Sequence, residues 1–130
     1  MAEDLKSSAG VDEIMIYCVN DGAVMQAWSE AQGVSTDLDD GSVLHLFGDP
    51  TGVLTEKLDM ELTAVGPKSI GLLNRCKRFA MYVVNGKVEI VEVAEAPDDP
   101  AGDDRPDVTL ADAMLEKIVA WNAKNKSDEL

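Results

Sequence analysis

The stretch Glu13-Ile14-Met15-Ile16-Tyr17-Cys18-Val19-Asn20-Asp21 is a β-favouring apolar run closed by two residues able to cap a helix. A helical pattern follows at once. Val24, Met25, Trp28 and Ala31 recur at helical spacing, and Gly33 supplies a C-terminal stop. Strand running straight into helix is the opening of a β-α unit. Beyond a polar loop from Asp37 to Gly41, Val43 to Phe47 read as a second strand. Gly48-Asp49-Pro50-Thr51-Gly52 then turns the chain into a short helix bearing Leu54 and Leu58. Strand, helix, strand, helix predicts a parallel pair.

Further along, Arg78 to Val84 and Lys87 to Val93 flank Asn85-Gly86, the strongest short-range signal for a two-residue hairpin turn. This adds an antiparallel pair to the expected sheet. The acidic Pro97 to Pro106 stretch reads as a solvated loop, extending over residues 97–107. Thr109, with Asp112 three residues later, is a capping-box-like start for a final helix whose Leu110, Met114, Leu115, Ile118 and Val119 form an apolar stripe. Residues 121–130 read as an extended tail. Met15, Met25, Met60, Met81 and Met114 fall at core-like positions. His45, alternating within a strand and with no nucleophile paired to it in sequence, reads as a partly exposed strand residue.

A chain of 130 residues with 45% hydrophobic content can bury one modest core, so a single domain is expected. Lys plus Arg number 11 against 25 Asp plus Glu, and the formal charge of -14 repels phosphate backbones and anionic lipid alike. Nucleic acid and membrane partners are therefore not expected. Asp98, Asp99, Asp103, Asp104 and Asp107 crowd one loop, while Lys68, Arg75, Lys77 and Arg78 form the main basic cluster. Two cysteines, Cys18 and Cys76, are too few to staple a small secreted fold. With one histidine they cannot complete a zinc site, so no metal or cofactor is expected.

Four segments together resemble the type II (atypical two-cysteine) peroxiredoxins. Cys18-Val19-Asn20-Asp21 with Val24-Met25 and Ala27-Trp28 resembles their SVND…VMxAW motif, and Asp49-Pro50-Thr51-Gly52 with Thr55 and Leu58-Asp59 resembles DPTGxFTxxLD. Arg75-Cys76-Lys77-Arg78-Phe79-Ala80, followed by Val83-Val84 and Gly86-Lys87-Val88, resembles RSKRFAxVVxDGKV. Leu110-Ala111-Asp112-Ala113-Met114-Leu115 resembles LADAML. The resemblance implies an α/β fold, a thioredoxin-like mixed sheet flanked by helices. It also implies an activity: thiol-dependent reduction of hydroperoxides with thioredoxin, glutaredoxin or glutathione as reductant.

The family's peroxidatic cysteine lies in a PGAFTPTCS-like loop before the first matched segment, and no such motif occurs in this chain. The expectation is an N-terminally truncated, partial redoxin domain over residues 1–130, with Ala2 to Gly10 as the tail of the helix that follows the catalytic one. Alone it is expected to be inert as a peroxidase. Arg78 aligns with the family arginine that contacts the thiolate and the peroxide oxygens. With the sulfur absent, pairing with a carboxylate at a strand start ranks ahead of that role. Cys18 and Cys76 stand where the family more often has serine, so neither carries over as peroxidatic or resolving. Both are read first as packing residues and second as redox candidates, Cys76 because Arg75, Lys77 and Arg78 would lower its pKa if it were exposed. The family's variable resolving cysteine falls near Val108. Gly22-Ala23 stands where a Pro-Phe pair is common at the family's dimer contact, which puts the familiar dimer in doubt, and a homo-oligomer remains among the expected partners.

Two alternatives stand beside the truncated peroxidase. One is a non-catalytic docking subunit whose open sheet is covered by a partner or a second copy, and the other is a cysteine redox sensor. Met1 to Ala9 carries Glu3 and Asp4 and no apolar core, so it does not read as a signal peptide, and a reducing cytoplasmic or organelle interior is expected. Ser127-Asp128-Glu129-Leu130 is similar to an ER-retention tetrapeptide, but retention requires prior entry, and the match is read as chance.

Overall fold

A computed structural model describes residues 1–128. In chain order the elements are α1 (Ala2–Ala9), β1 (Ile14–Cys18), α2 (Gly22–Gln32), β2 (Leu44–Gly48), α3 (Val53–Lys57), α4 (Val65–Ser69), β3 (Phe79–Val84), β4 (Lys87–Val93), a 3-10 turn (Asp107–Thr109) and α5 (Ala111–Asp128). They fall into two compact units, residues 12–76 and residues 1–11 with 77–130.

In the unit of residues 12–76, β1 and β2 pair in parallel, from Ile14 opposite Leu44 to Cys18 opposite Gly48. The crossover is α2, started as expected by Asp21, whose carboxylate accepts the Val24 N–H at 2.9 Å, and stopped by Gly33 at φ 67. Met25 and Ser29, one turn apart on α2, are both buried, and α2 packs on β2. The close of β2 requires glycine, because a Cβ on Gly48 would stand 2.6 Å from the Asn20 carbonyl oxygen. Met15 is 67% exposed and Ile16 38%, which corrects the placement of Met15 in the core. One helix over a two-stranded ribbon cannot bury both of its faces.

The unit formed by residues 1–11 and 77–128 centres on the β3–β4 hairpin. Asn85 at φ 50 and Gly86 at φ 78 make its turn, as the dipeptide predicts, with Val84 opposite Lys87 and a register shift between Tyr82 and Val83. Within this unit β3 pairs with β4, as β1 pairs with β2 within the other. Helix α1 ends at Gly10 (φ 68) and packs on α5, where the Asn122 side-chain amide donates to the Ala9 carbonyl at 2.8 Å. Leu5, Ala9, Ala94, Met114 and Ile118 are buried here.

Two expectations for the C-terminal region change. The Thr109 hydroxyl donates to the Pro106 carbonyl at 2.8 Å within the 3-10 turn, so it closes that turn instead of capping α5. Residues from Trp121 to Asp128 continue α5 and are not an extended tail, and Trp121 meets Tyr82 edge-on with ring centroids 5.5 Å apart. Part of the Ser127–Leu130 tetrapeptide, Glu129 and Leu130, lies outside the described residues. No helix among the described residues is long and apolar enough to cross a membrane.

The acidic loop is mostly exposed, but Asp99 is only 6% exposed. Its carboxylate accepts backbone N–H bonds from Asp103 (3.1 Å), Asp104 (3.2 Å) and Arg105 (3.1 Å), which is why a carboxylate can be buried there. The same turn brings Gly102, at φ 73, against the residue that follows β4: a Cβ would fall 1.8 Å from the Ala94 carbonyl oxygen. Gly102→Ala therefore has to break both the left-handed backbone and that contact. It is expected to cost about 3 kcal/mol or more, read as a drop in denaturation midpoint. A midpoint unchanged from wild type would contradict the close approach.

Candidate functional site

Strand β1 delivers Cys18 to a junction where its carbonyl accepts N–H bonds from Asn20 and from Asp49, both at 2.8 Å. Asp49 follows β2 and is 7% exposed. Its carboxylate accepts from the Leu54 N–H (3.2 Å), the Thr55 N–H (2.9 Å) and the Thr55 hydroxyl (2.8 Å), so it closes the turn into α3. Burial opposes ionisation of Asp49, but these hydrogen bonds outweigh it and hold its pKa below the ordinary aspartate value. The Thr55 hydroxyl also lies 3.3 Å from the Tyr17 hydroxyl.

Cys76 reaches the same junction from the other direction. It forms an isolated antiparallel bridge with Glu61, beside a 2.7 Å bond from the Leu62 N–H to the Arg75 carbonyl. The Val19 backbone, one residue past Cys18, acts to lower the Cys76 pKa. The fold thus brings together Cys18 and Cys76, both free and half-buried, with Tyr17, Asp49 and Thr55 beside them.

The electrostatics of this cluster suppress thiolate formation. Burial pushes the Cys18 thiol up, opposed by the Arg75 cation. Burial also pushes Cys76 up, and Cys18 and Asp49 add to the rise, against backbone hydrogen bonds from its own residue and Val19. Tyr17 is raised too, by burial first, against its hydrogen bond to Thr55. The lowering of Cys76 by neighbouring cations was expected only of an exposed thiol; Cys76 is half-buried, and Arg75 acts on Cys18.

Arg78, in the other unit, donates from Nη2 to the Asp103 carboxylate at 2.8 Å, with both side chains largely exposed. Lys77 pairs with Glu95 at 3.3 Å. Tyr17, Asp49 and Thr55 were not singled out by sequence as members of a site. The one available signal was an aspartate ahead of a short helix with a threonine six residues on, which read only as a turn.

A second feature of the unit of residues 12–76 is a cleft of ≈ 420 Å³ lined by Met25, Gln26 and Ser29 of α2, by Leu38 of the following loop, and by His45 and Phe47 of β2. His45 is 5% exposed and its Nδ1 has no hydrogen-bond partner, which corrects the expectation of a partly exposed strand residue. The position faces α2, and helix cover decides its burial. Since a buried unpaired nitrogen destabilises, His45→Leu is expected to raise stability by about 1 kcal/mol. A fall of that size in chemical denaturation would show that the nitrogen is satisfied.

A family profile described as Redoxin matches residues 1–116. Among curated proteins, Peroxiredoxin-2D of Arabidopsis thaliana is 36% identical over 92 residues, covering 71% of this chain and 51% of that protein. The hybrid peroxiredoxin hyPrx5 of Haemophilus influenzae is 34% identical over 118 residues, covering 91% of this chain and 43% of that protein. The chain spans about half or less of the length of these relatives. Among solved structures, reduced Prx3 from Vibrio vulnificus in complex with H2O2 superposes with a TM-score of 0.67 at 32% identity, covering 90% of this chain and 61% of that one. The parallel β-α-β unit, the hairpin with its following helix, and the motifs spread from Cys18 to Leu115 converge with these matches: the chain belongs to the redoxin family, as a peroxiredoxin of the thioredoxin-like superfamily.

Proposed function

We propose that this chain is a partial redoxin domain that frames a peroxide-reducing centre and does not itself carry the attacking sulfur. The observation that carries this reading is the state of its thiols. Cys18 ends a strand and Cys76 sits in an isolated bridge, and burial pushes both up. A peroxidatic sulfur has to be a thiolate near neutral pH, stabilised by cations or a helix N-terminus. The 130 residues contain no Pro-x-x-x-Thr-x-x-Cys segment. In this reading Arg78 is a supporting group. Its exposed pair with Asp103 is of the kind that contributes about 1 kcal/mol or less, so it can exchange partners when a thiolate is supplied. Thioredoxin, glutaredoxin or glutathione would be the reductant, in a reducing compartment.

A second reading, a docking subunit, is favoured by one observation: Met15 (67% exposed), Ile16 (38%) and Phe47 (36%) leave apolar strand positions open for a partner or a second copy. The two are separated by complementation. The full chain is mixed with a separately made redoxin N-terminal segment bearing the Pro-x-x-x-Thr-x-x-Cys motif, and hydroperoxide consumption is followed with each reductant. Turnover that requires both pieces and drops on Arg78→Ala supports the framing role. Stable association without turnover supports the docking role.

A further inference from the structure

We propose that the cleft between α2 and β2 binds a small organic cation of the arylalkylamine class, an aromatic ring carrying a short ammonium arm. This site is independent of the reading above: the cleft lies wholly within residues 12–76, and its readout is amine binding, not peroxide turnover or association. Its ≈ 420 Å³ falls toward the small end of the roughly 300–1,000 Å³ usual for ligand sites, which suits a body of one or two rings.

The walls set the chemistry of the body. Met25 of α2, Leu38 of the following loop and Phe47 of β2 line the cleft with thioether, aliphatic and aromatic surface, a combination that accepts a flat ring. His45 and Phe47, two positions apart on β2 and therefore on one face, both border it, with ring centroids 6.4 Å apart and planes inclined at 52°. His45 is 5% exposed, and its Nδ1 has no hydrogen-bond partner among the described residues. A buried nitrogen in that state costs stability. A donor on the ligand satisfies it once the ring turns about its Cβ–Cγ bond to bring Nδ1 to the cleft, and no hydrogen bond at Nδ1 opposes that turn.

The charge around the cleft selects the sign of the ligand. From Gly22 to Gly48, the span that supplies the lining, the sequence has no lysine or arginine but has Glu30, Asp37, Asp39 and Asp40. Gln26, on the cleft wall, donates its amide to the Glu30 carboxylate at 3.0 Å, which ties that charge to the wall. Asp37 stands between Thr36 and Leu38, both lining residues, and Asp39 and Asp40 follow directly. The loop is folded on itself: Ser35 Oγ accepts the Asp37 N–H at 3.1 Å, Asp37 the Asp39 N–H at 2.9 Å, and Asp40 the Ser42 N–H at 2.8 Å. Each carboxylate has more acceptor sites than these bonds use, so an ammonium finds charge-assisted partners at the rim. A carboxylate or phosphate on the ligand meets repulsion there.

The full chain is titrated near neutral pH and at low salt with tryptamine, and separately with indole-3-propionate, which keeps the ring and replaces the ammonium by a carboxylate. Binding is read by calorimetry and by saturation-transfer NMR of the probe. Tryptamine is expected to saturate one site and to bind at least roughly tenfold tighter than indole-3-propionate. His45→Leu is expected to weaken tryptamine by about tenfold or more without lowering the denaturation midpoint, which separates loss of the site from loss of the fold. Asp37→Asn combined with Asp40→Asn keeps the oxygens that accept the loop N–H bonds. That variant is expected to bring the two probes to within roughly threefold of each other. Tryptamine that fails to saturate, tryptamine that binds no tighter than indole-3-propionate, or an affinity unchanged in either variant would overturn the proposal.

Discussion

Incubated with hydrogen peroxide or an organic hydroperoxide and any of thioredoxin, glutaredoxin or glutathione, the full chain gives no turnover above that of the reductant alone. The expectation rests on ionisation. Burial raises both thiols from their ordinary value, which disfavours the thiolate, and only the thiolate attacks the peroxide oxygen. The Asp49 carboxylate also works against a new negative charge on Cys76. Replacing both Cys18 and Cys76 by serine should leave the background rate unchanged. A catalytic rate in wild type, or one surviving the double replacement, would place the chemistry elsewhere in the chain.

The second large effect concerns stability. Each apolar Å² left in water forgoes about 25 cal/mol, and the net stability of a typical domain is only roughly 5–15 kcal/mol. Met15, Ile16 and Phe47 on the parallel ribbon and Val83, Val88 and Val91 on the hairpin contribute to the open surface. The isolated chain is therefore expected to bind a hydrophobic dye, to self-associate and to unfold at low denaturant, and a partner or the complementary redoxin segment should reverse all three. A dye-negative monomer with a sharp, reversible, high-temperature transition would contradict this.

Elements specified by near neighbours were legible in the sequence. Asn85-Gly86 fixes the hairpin because positive φ at two adjacent residues is a local demand, and Asp21 with Gly33 brackets α2 for the same kind of reason. Features set by contacts across the chain were not. His45 is buried because α2 packs on β2, and strand alternation alone does not say which face a helix covers. Asp99 is buried inside an acidic loop because three successive N–H groups turn toward it, which composition does not reveal. Helix α5 runs past Trp121 because Tyr82 and the Ala9 carbonyl give that stretch partners.

The central claim, that this chain frames a peroxide-reducing centre without supplying its thiolate, turns on the ionisation of two sulfurs. Thiolate absorbance followed against pH in wild type, Cys18→Ser and Cys76→Ser measures it directly. Both thiols are expected to titrate above the ordinary thiol value, from which burial raises them, with no thiolate signal near neutrality. A thiolate already present at or below about pH 7 in either single-cysteine variant would mark an activated nucleophile and contradict the account.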